Sequence, residues 1–278
     1  MARITAAQLN EKGKRQNNED AIYPAYGSPV HPEQRLFMVC DGVGGQKKGE
    51  VASGLLTKFF SEHLETLDQP VSMQAALSHA ELKMRLEMLT RPETKGMAST
   101  LTAIYFDKSF RSARIAWVGD SRVYHIRAGR ILFKTKDHSE VQSLMDMGEI
   151  TEVEAQTHPK RNIITRAING HTPAKIDQHK IINITLGDFF LLCTDGLLET
   201  LKETEFPAIF KSGSDPMAIR KELLQKAEGL TKDNFSMYLL QVNQLDDDAH
   251  ENEPPKTERK TQFNMGPSLG RIFGKKKR

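Results

Sequence analysis

The 278 residues are enough for one large domain with a buried core, and 38% hydrophobic against 27% charged residues describes an ordinary water-facing chain. The net charge of +3 sits mostly at one end. Residues 246–278 hold eight Lys/Arg and six Asp/Glu, so the remainder is nearly neutral, which excludes a body built to coat nucleic acid.

The N-terminal stretch MARITAAQLNEKGKR lacks an apolar leader core, and no apolar run approaches the ~20 residues of a membrane helix, so a cytoplasmic protein is expected. Next comes RQNNED, in which Glu19 and Asp20 form an adjacent acid pair. A strand is predicted over Leu36–Cys40 and runs into Asp41 and Gly42. The following GVGGQKKGE has neither the Gly-Lys-Ser/Thr order of a P-loop nor GxGxxG, so a nucleotide loop is rejected and the glycines read as a hinge after Asp41. Helical spacing of apolar residues predicts helices over Glu50–Leu67, through Val51, Leu55, Phe59 and Leu64, and over Met73–Leu89.

Strands follow over Ser99–Phe106, Ala113–Val118 and Val123–Arg127, with Asp120 between the last two. Residues 137–170 form a polar, charge-dense insert, and a long insert between strands is more often functional than idle. Further strands are predicted over Lys180–Ile184, Phe189–Cys193 and Phe235–Val242, with a helix over Pro216–Glu228. Asp195 follows the second of these strands and Asp233 precedes the third. Cys40 and Cys193 lie in apolar runs and read as reduced, buried thiols. Strands grouped beside helices imply an α+β fold with mainly antiparallel sheets packed as a sandwich.

The acids carry the functional signal. One strand-end Asp is usually a turn former or a helix cap. Five such sites gathered at a sheet end would repel one another unless a divalent cation neutralised them. Oxygen-only donors suit Mg²⁺ or Mn²⁺, whereas zinc-type Cys/His spacing is absent from the sequence.

In order, GKRQNNEDA, VCDGVGGQKKGEVAS, STLTAIYF, WVGDSRVYHIRAGRI, the 137–170 insert, GDFFLLCTDGLLETL and DNFSMYLLQV resemble the PP2C-like (PPM) protein serine/threonine phosphatases, bacterial type. The resemblance spans residues 5–243. It implies an α-β-β-α sandwich over residues 1–245, with the insert as a mobile flap, and leaves 246–278 as a disordered tail ending in basic residues. It implies two Mn²⁺ or Mg²⁺ ions, bridged by Asp41. Asp195 and Asp233 would hold the first, and the Gly42 carbonyl and Glu19, with Asp20 beside it, the second. Asp120 would hold a third ion together with Asp195. Arg15 would bind phosphate, and a metal-bridging hydroxide would attack phosphorus directly, with no phospho-enzyme. The family's leaving-group histidine is replaced by Val43, so the general acid is unassigned.

The substrates implied are phosphoserine and phosphothreonine proteins, in opposition to a Hanks-type kinase, for a monomeric enzyme. A catalytically silent phosphoprotein adaptor and a phosphatase dedicated to an anti-sigma antagonist are the rival readings. His138 and His158 read as polar or capping residues rather than acids, Arg122 as structural, and Arg161 and Arg166 as minor candidates for substrate contact. The tail's Leu269, Ile272 and Phe273 beside KKKR suggest either a docking motif, a weak membrane-surface contact or a solubilising end.

Overall fold

A computed structural model describes residues 3–43, 48–65 and 72–246. The expected tail beyond Asp246, and residues 44–47 of the glycine loop, lie outside the described residues. Among the described residues, ten strands form two antiparallel five-stranded sheets. One has the order β1 (Ile4–Glu11), β10 (Phe235–Val242), β9 (Phe189–Cys193), β6 (Arg122–Arg127) and β7 (Arg130–Lys134). The other runs β2 (Asp20–Tyr23), β3 (Leu36–Asp41), β4 (Leu101–Phe106), β5 (Ala113–Val118) and β8 (Asp177–Ile181).

Period-2 alternation explains why the central strands read as continuous apolar runs. Phe37 and Val39 of β3 face the other sheet, where Phe190, Leu192, Tyr238 and Leu240 meet them. Leu36, Met38 and Cys40 face the opposite way, under α1 (Gly49–Glu65) and α2 (Met73–Thr90). In the partner sheet Phe189, Leu191 and Cys193 turn away from the sandwich. They pack beneath α5 (Asp195–Leu198), α6 (Phe206–Ile209) and α7 (Pro216–Ala227), which completes four layers. Between β7 and β8 the insert carries α3 (Glu140–Asp146) and α4 (Glu152–Thr157). Both cysteines are free and buried. No helix among the described residues is long and apolar enough to cross a membrane.

Several local expectations are corrected. The fully buried stripe of α1 is Ala52, Leu56, Phe60 and Leu64; of the residues that marked the helix, Leu64 is part of it, and Val51, Leu55 and Phe59 pack against the same core half-buried. Small polar Ser53, Thr57 and Ser61 are buried beside it because their hydroxyls bond helix carbonyls, and Ser53 also reaches the Glu19 carbonyl. The strand predicted over Lys180–Ile184 lies at Asp177–Ile181, an edge strand whose Gln178, His179 and Lys180 are exposed; its register is set by β5 rather than by its own hydrophobicity. Strands β1, β2 and β7 were not anticipated, since polar or alanine-rich segments give little alternation to read.

Candidate metal centre and phosphate site

Strand register gathers the acids at one end of the sandwich. Asp20 opens β2 directly opposite Asp41, which closes β3. In the other sheet Arg122, Cys193 and Met237 lie in line across β6, β9 and β10. That alignment places Asp120 before β6, Asp195 after β9 and Asp233 before β10 at the same end.

Asp41 is fixed by its backbone. Its N–H donates to Thr100 Oγ1 (3.0 Å), and its carbonyl accepts from the Thr100 N–H (2.8 Å) and the Ser99 hydroxyl (2.9 Å). Gly42 follows in a crowded place. Its N–H donates to the Glu19 carbonyl at 3.0 Å, and a Cβ there would lie 2.4 Å from the Gly49 carbonyl and 2.6 Å from that of Glu19. Only glycine lets β3 pass so close to the start of α1 and keep Glu19 beside Asp41.

The carboxyls share one electrostatic problem. Burial pushes Asp41 well above the ordinary carboxylate range, and Asp20, Asp195, Asp120 and Asp233 push it further. Burial likewise raises Asp20 to about 7, with Asp195 and Asp233 adding to it, against the nearby Ser236 hydroxyl and the hydrogen bond that Thr194 donates to Oδ2 at 3.0 Å. Asp120 rises to about 8 through burial and then Asp195 and Asp137; Asp195 rises to about 6 through burial, Asp233 and Glu199. Glu19 is raised by burial and by Glu50. Among the described residues, one cation is bonded to this group of acids: Arg15 Nη2 lies 2.7 Å from Asp233 Oδ2.

The donor set suits a hard divalent cation. Oδ1 of Asp20, Asp120 and Asp195 is in each case buried without a hydrogen-bond partner among the described residues. Mutually repelling, desolvated carboxylates with spare oxygens are stabilised by such an ion. The donors are gathered rather than closed: among the described residues, no three His, Cys, Asp or Glu side chains converge as one ion's ligands do.

Other sequence candidates are placed in supporting positions. His138 is buried, with Nδ1 accepting from the Gly119 N–H (2.9 Å) and Nε2 against Asp177 (3.2 Å) and Arg166 (3.0 Å). Arg166 is further tied to Asp177 Oδ1 at 2.9 Å. His158 caps α4 and accepts from the Lys160 N–H. Arg122 is structural: it grips Asp137 through two bonds of 2.8 and 2.7 Å. Sequence reasoning missed Asp137, whose charge reaches both Asp120 and Asp195, and Asn234, which stands beside Asp233. Both lie inside segments whose acids stood out, but neither sits at a strand end followed by glycine.

A family model described as protein phosphatase 2C matches residues 11–227. The chain belongs to the protein phosphatase 2C family. It is 35% identical over 213 residues to the serine/threonine protein phosphatase PstP of Mycobacterium tuberculosis, covering 73% of this chain and 39% of that protein. This chain therefore spans about two fifths of the mycobacterial relative's length. It is 32% identical over 227 residues to the serine/threonine phosphatase stp of Listeria welshimeri, covering 76% of this chain and 85% of the other. Among solved structures, the catalytic domain of PstP in complex with two manganese ions superimposes with a TM-score of 0.69 at 30% identity, over 86% of this chain and 98% of that one. The α-β-β-α arrangement expected from the motifs is the family's fold.

Proposed function

We propose that this chain is a metal-dependent protein serine/threonine phosphatase acting on phosphoserine and phosphothreonine, with Mn²⁺ or Mg²⁺ as its ions and a serine/threonine kinase as its opponent. The observation that carries the reading is the group of acids Asp20 and Asp120, buried, and Asp41 and Asp195, half-buried, three of the four with a buried, unpartnered oxygen, beside the half-exposed Arg15. Asp41, Asp195, Asp233, Glu19 and the Gly42 carbonyl are the groups that would hold such ions. Asp120 supplies a further oxygen near Asp195. Ions held there supply the Lewis acidity that makes water nucleophilic near neutral pH.

The chain's own residues do the rest. Arg15 presents a planar fork to two phosphoryl oxygens and steadies the charge that spreads over them as the bond to the serine or threonine oxygen breaks. The Asp41 backbone, clamped by Ser99 and Thr100, keeps the acids from spreading apart as charge shifts. The buried thiols Cys40 and Cys193 are raised by burial, well above the ordinary range and to about 12 respectively, so neither supplies a thiolate nucleophile. The phosphatase names of the relatives, together with the retained acids, favour an enzyme over a silent adaptor. Hydrolysis of a phosphothreonine peptide with Mn²⁺, with Mg²⁺ and with a chelator tests the reading: turnover only with a divalent ion supports it, and equal turnover in chelator overturns it.

A further inference from the structure

The loop between β1 and β2, residues 12–19, carries both Arg15 and Glu19 and has almost no hydrogen bonding of its own. Within it the Arg15 N–H reaches the Lys12 carbonyl only at 3.3 Å. Much of its backbone order comes from Asn234, more than two hundred residues away in sequence and only 4% exposed, while Asn18 bonds Asn10 and the Asp20 N–H and the Glu19 carbonyl accepts from Gly42 and Ser53. The Asn234 amide nitrogen donates to the carbonyls of Lys12 (2.8 Å) and Asn17 (2.8 Å), and its oxygen accepts from the Glu19 N–H (2.9 Å). The amide cannot be turned over, because its oxygen would then face two carbonyls and its nitrogen an N–H. One planar group thus pins the loop on both sides of Arg15 and at Glu19.

The contact is tight on the loop's side as well. Gly13 sits at φ +59°, and a Cβ there would lie 2.0 Å from the Asp233 carbonyl. The neighbouring Asp233 side chain takes the Arg15 guanidinium. The dipeptide Asp233-Asn234 therefore holds the loop's backbone with one side chain and its cation with the other.

We propose that Asn234 is a positioning residue that sets Arg15 and Glu19 relative to Asp233, so that phosphate and metal donors from the two ends of the chain share one geometry. The proposal rests on the phosphatase reading above. Without Asn234 the carbonyls of Lys12 and Asn17 and the N–H of Glu19 lose their partners, and the loop opens to exchange those bonds for water. Asn234→Ala removes all three bonds. Asn234→Asp keeps the acceptor for Glu19 and sets an oxygen against the two carbonyls.

Backbone hydrogen exchange and steady-state kinetics on the full chain test this together. In both variants, exchange across residues 12–19 is expected to rise at least tenfold, with β9 and the centre of β10 unchanged. kcat/KM for a phosphothreonine peptide with Mn²⁺ is expected to fall at least tenfold, mostly through KM. In an Arg15→Ala background, Asn234→Ala is expected to cost a smaller factor than in wild type, because one of the two residues it places is already gone. Unchanged exchange in both variants, or the same fold-loss with and without Arg15, overturns the proposal. A wild type with no hydrolysis fails the phosphatase reading instead, and the exchange data alone then decide the loop's dependence on Asn234. Should neither variant fold, the wild-type Glu19 amide decides it: strong protection supports the pin, and exchange at the rate of an open loop overturns it.

Discussion

Arg15 and Asp233 stand 218 positions apart and meet in a 2.7 Å ion pair at the rim of the acid group. The contact raises the Arg15 guanidinium above its ordinary range, with its hydrogen bond to Asp233 as the main cause, so the side chain is cationic at every working pH. On the proposed function, it would meet the incoming phosphoryl group beside the carboxylates. Arg15→Ala is expected to lower kcat/KM for a phosphothreonine peptide by about ten- to a hundredfold, the value of one or two charge-assisted hydrogen bonds. Arg15→Lys recovers only part, since an ammonium lacks the planar fork. Full activity in Arg15→Ala contradicts the assignment.

Gly42 is expected to tolerate no side chain. A Cβ at 2.4 Å from Gly49 must push α1 away from β3 or move Glu19, at a cost of about 1–3 kcal/mol. Gly42→Ala should therefore lower the denaturation midpoint and the activity together. Gly54, where an added Cβ meets nothing within 4 Å, is the control: Gly54→Ala should be neutral or stabilising.

His138 is expected to act through structure rather than as the acid for the leaving group. Burial lowers it below the ordinary imidazole range, and its Nδ1 accepts the Gly119 N–H, so it is neutral and has no proton on that nitrogen. Truncation leaves the Gly119 N–H without its partner, at about 1–3 kcal/mol, and takes one contact from the Arg166–Asp177 pair. His138→Ala should lose stability, and its rate loss should be the same for p-nitrophenyl phosphate and for a phosphothreonine peptide. A loss confined to the poor leaving group would make it the acid.

A second ionic node lies within the fold. Asp188 is fully buried; burial alone would raise its carboxyl, but bonds from Arg127, His125 and Thr185 pull it well below the ordinary carboxylate range. A depressed folded value contributes stability above the unfolded carboxylate value of about 4, and that stability is lost as pH falls below it. Asp188→Asn should cost about 2 kcal/mol at pH 7, less than for a dry pair because Arg127 is 39% exposed. The variant should also show a shallower loss of stability on acidification than wild type. Parallel acid limbs would contradict the assignment.

The legible parts of the fold were those with strong alternation or glycine punctuation. Phe189–Cys193, Ala113–Val118 and Phe235–Val242 were readable to the residue, because strands buried on both faces are mostly apolar, with Arg114, Ser236 and Gln241 the polar exceptions. β1 was invisible because ITAAQLNE gains its place from eight paired positions along β10, not from its own pattern. The acids were legible as strand-end residues, and the structure brings all of them to one end. What could not be read was who holds them. Thr100 under Asp41, Asn234 beside Asp233 and Asp137 against Arg122 act through bonds spanning 15 to 222 positions, and a single sequence carries no trace of such pairings.

Binding of Mn²⁺ to the metal-stripped protein, followed by calorimetry in wild type and Asp41→Asn, tests the central claim most directly. The account predicts at least two ions per chain in wild type, a rise in the thermal midpoint on loading, and loss of the tight binding in Asp41→Asn with the fold retained. Equal stoichiometry and affinity in the two proteins would contradict it.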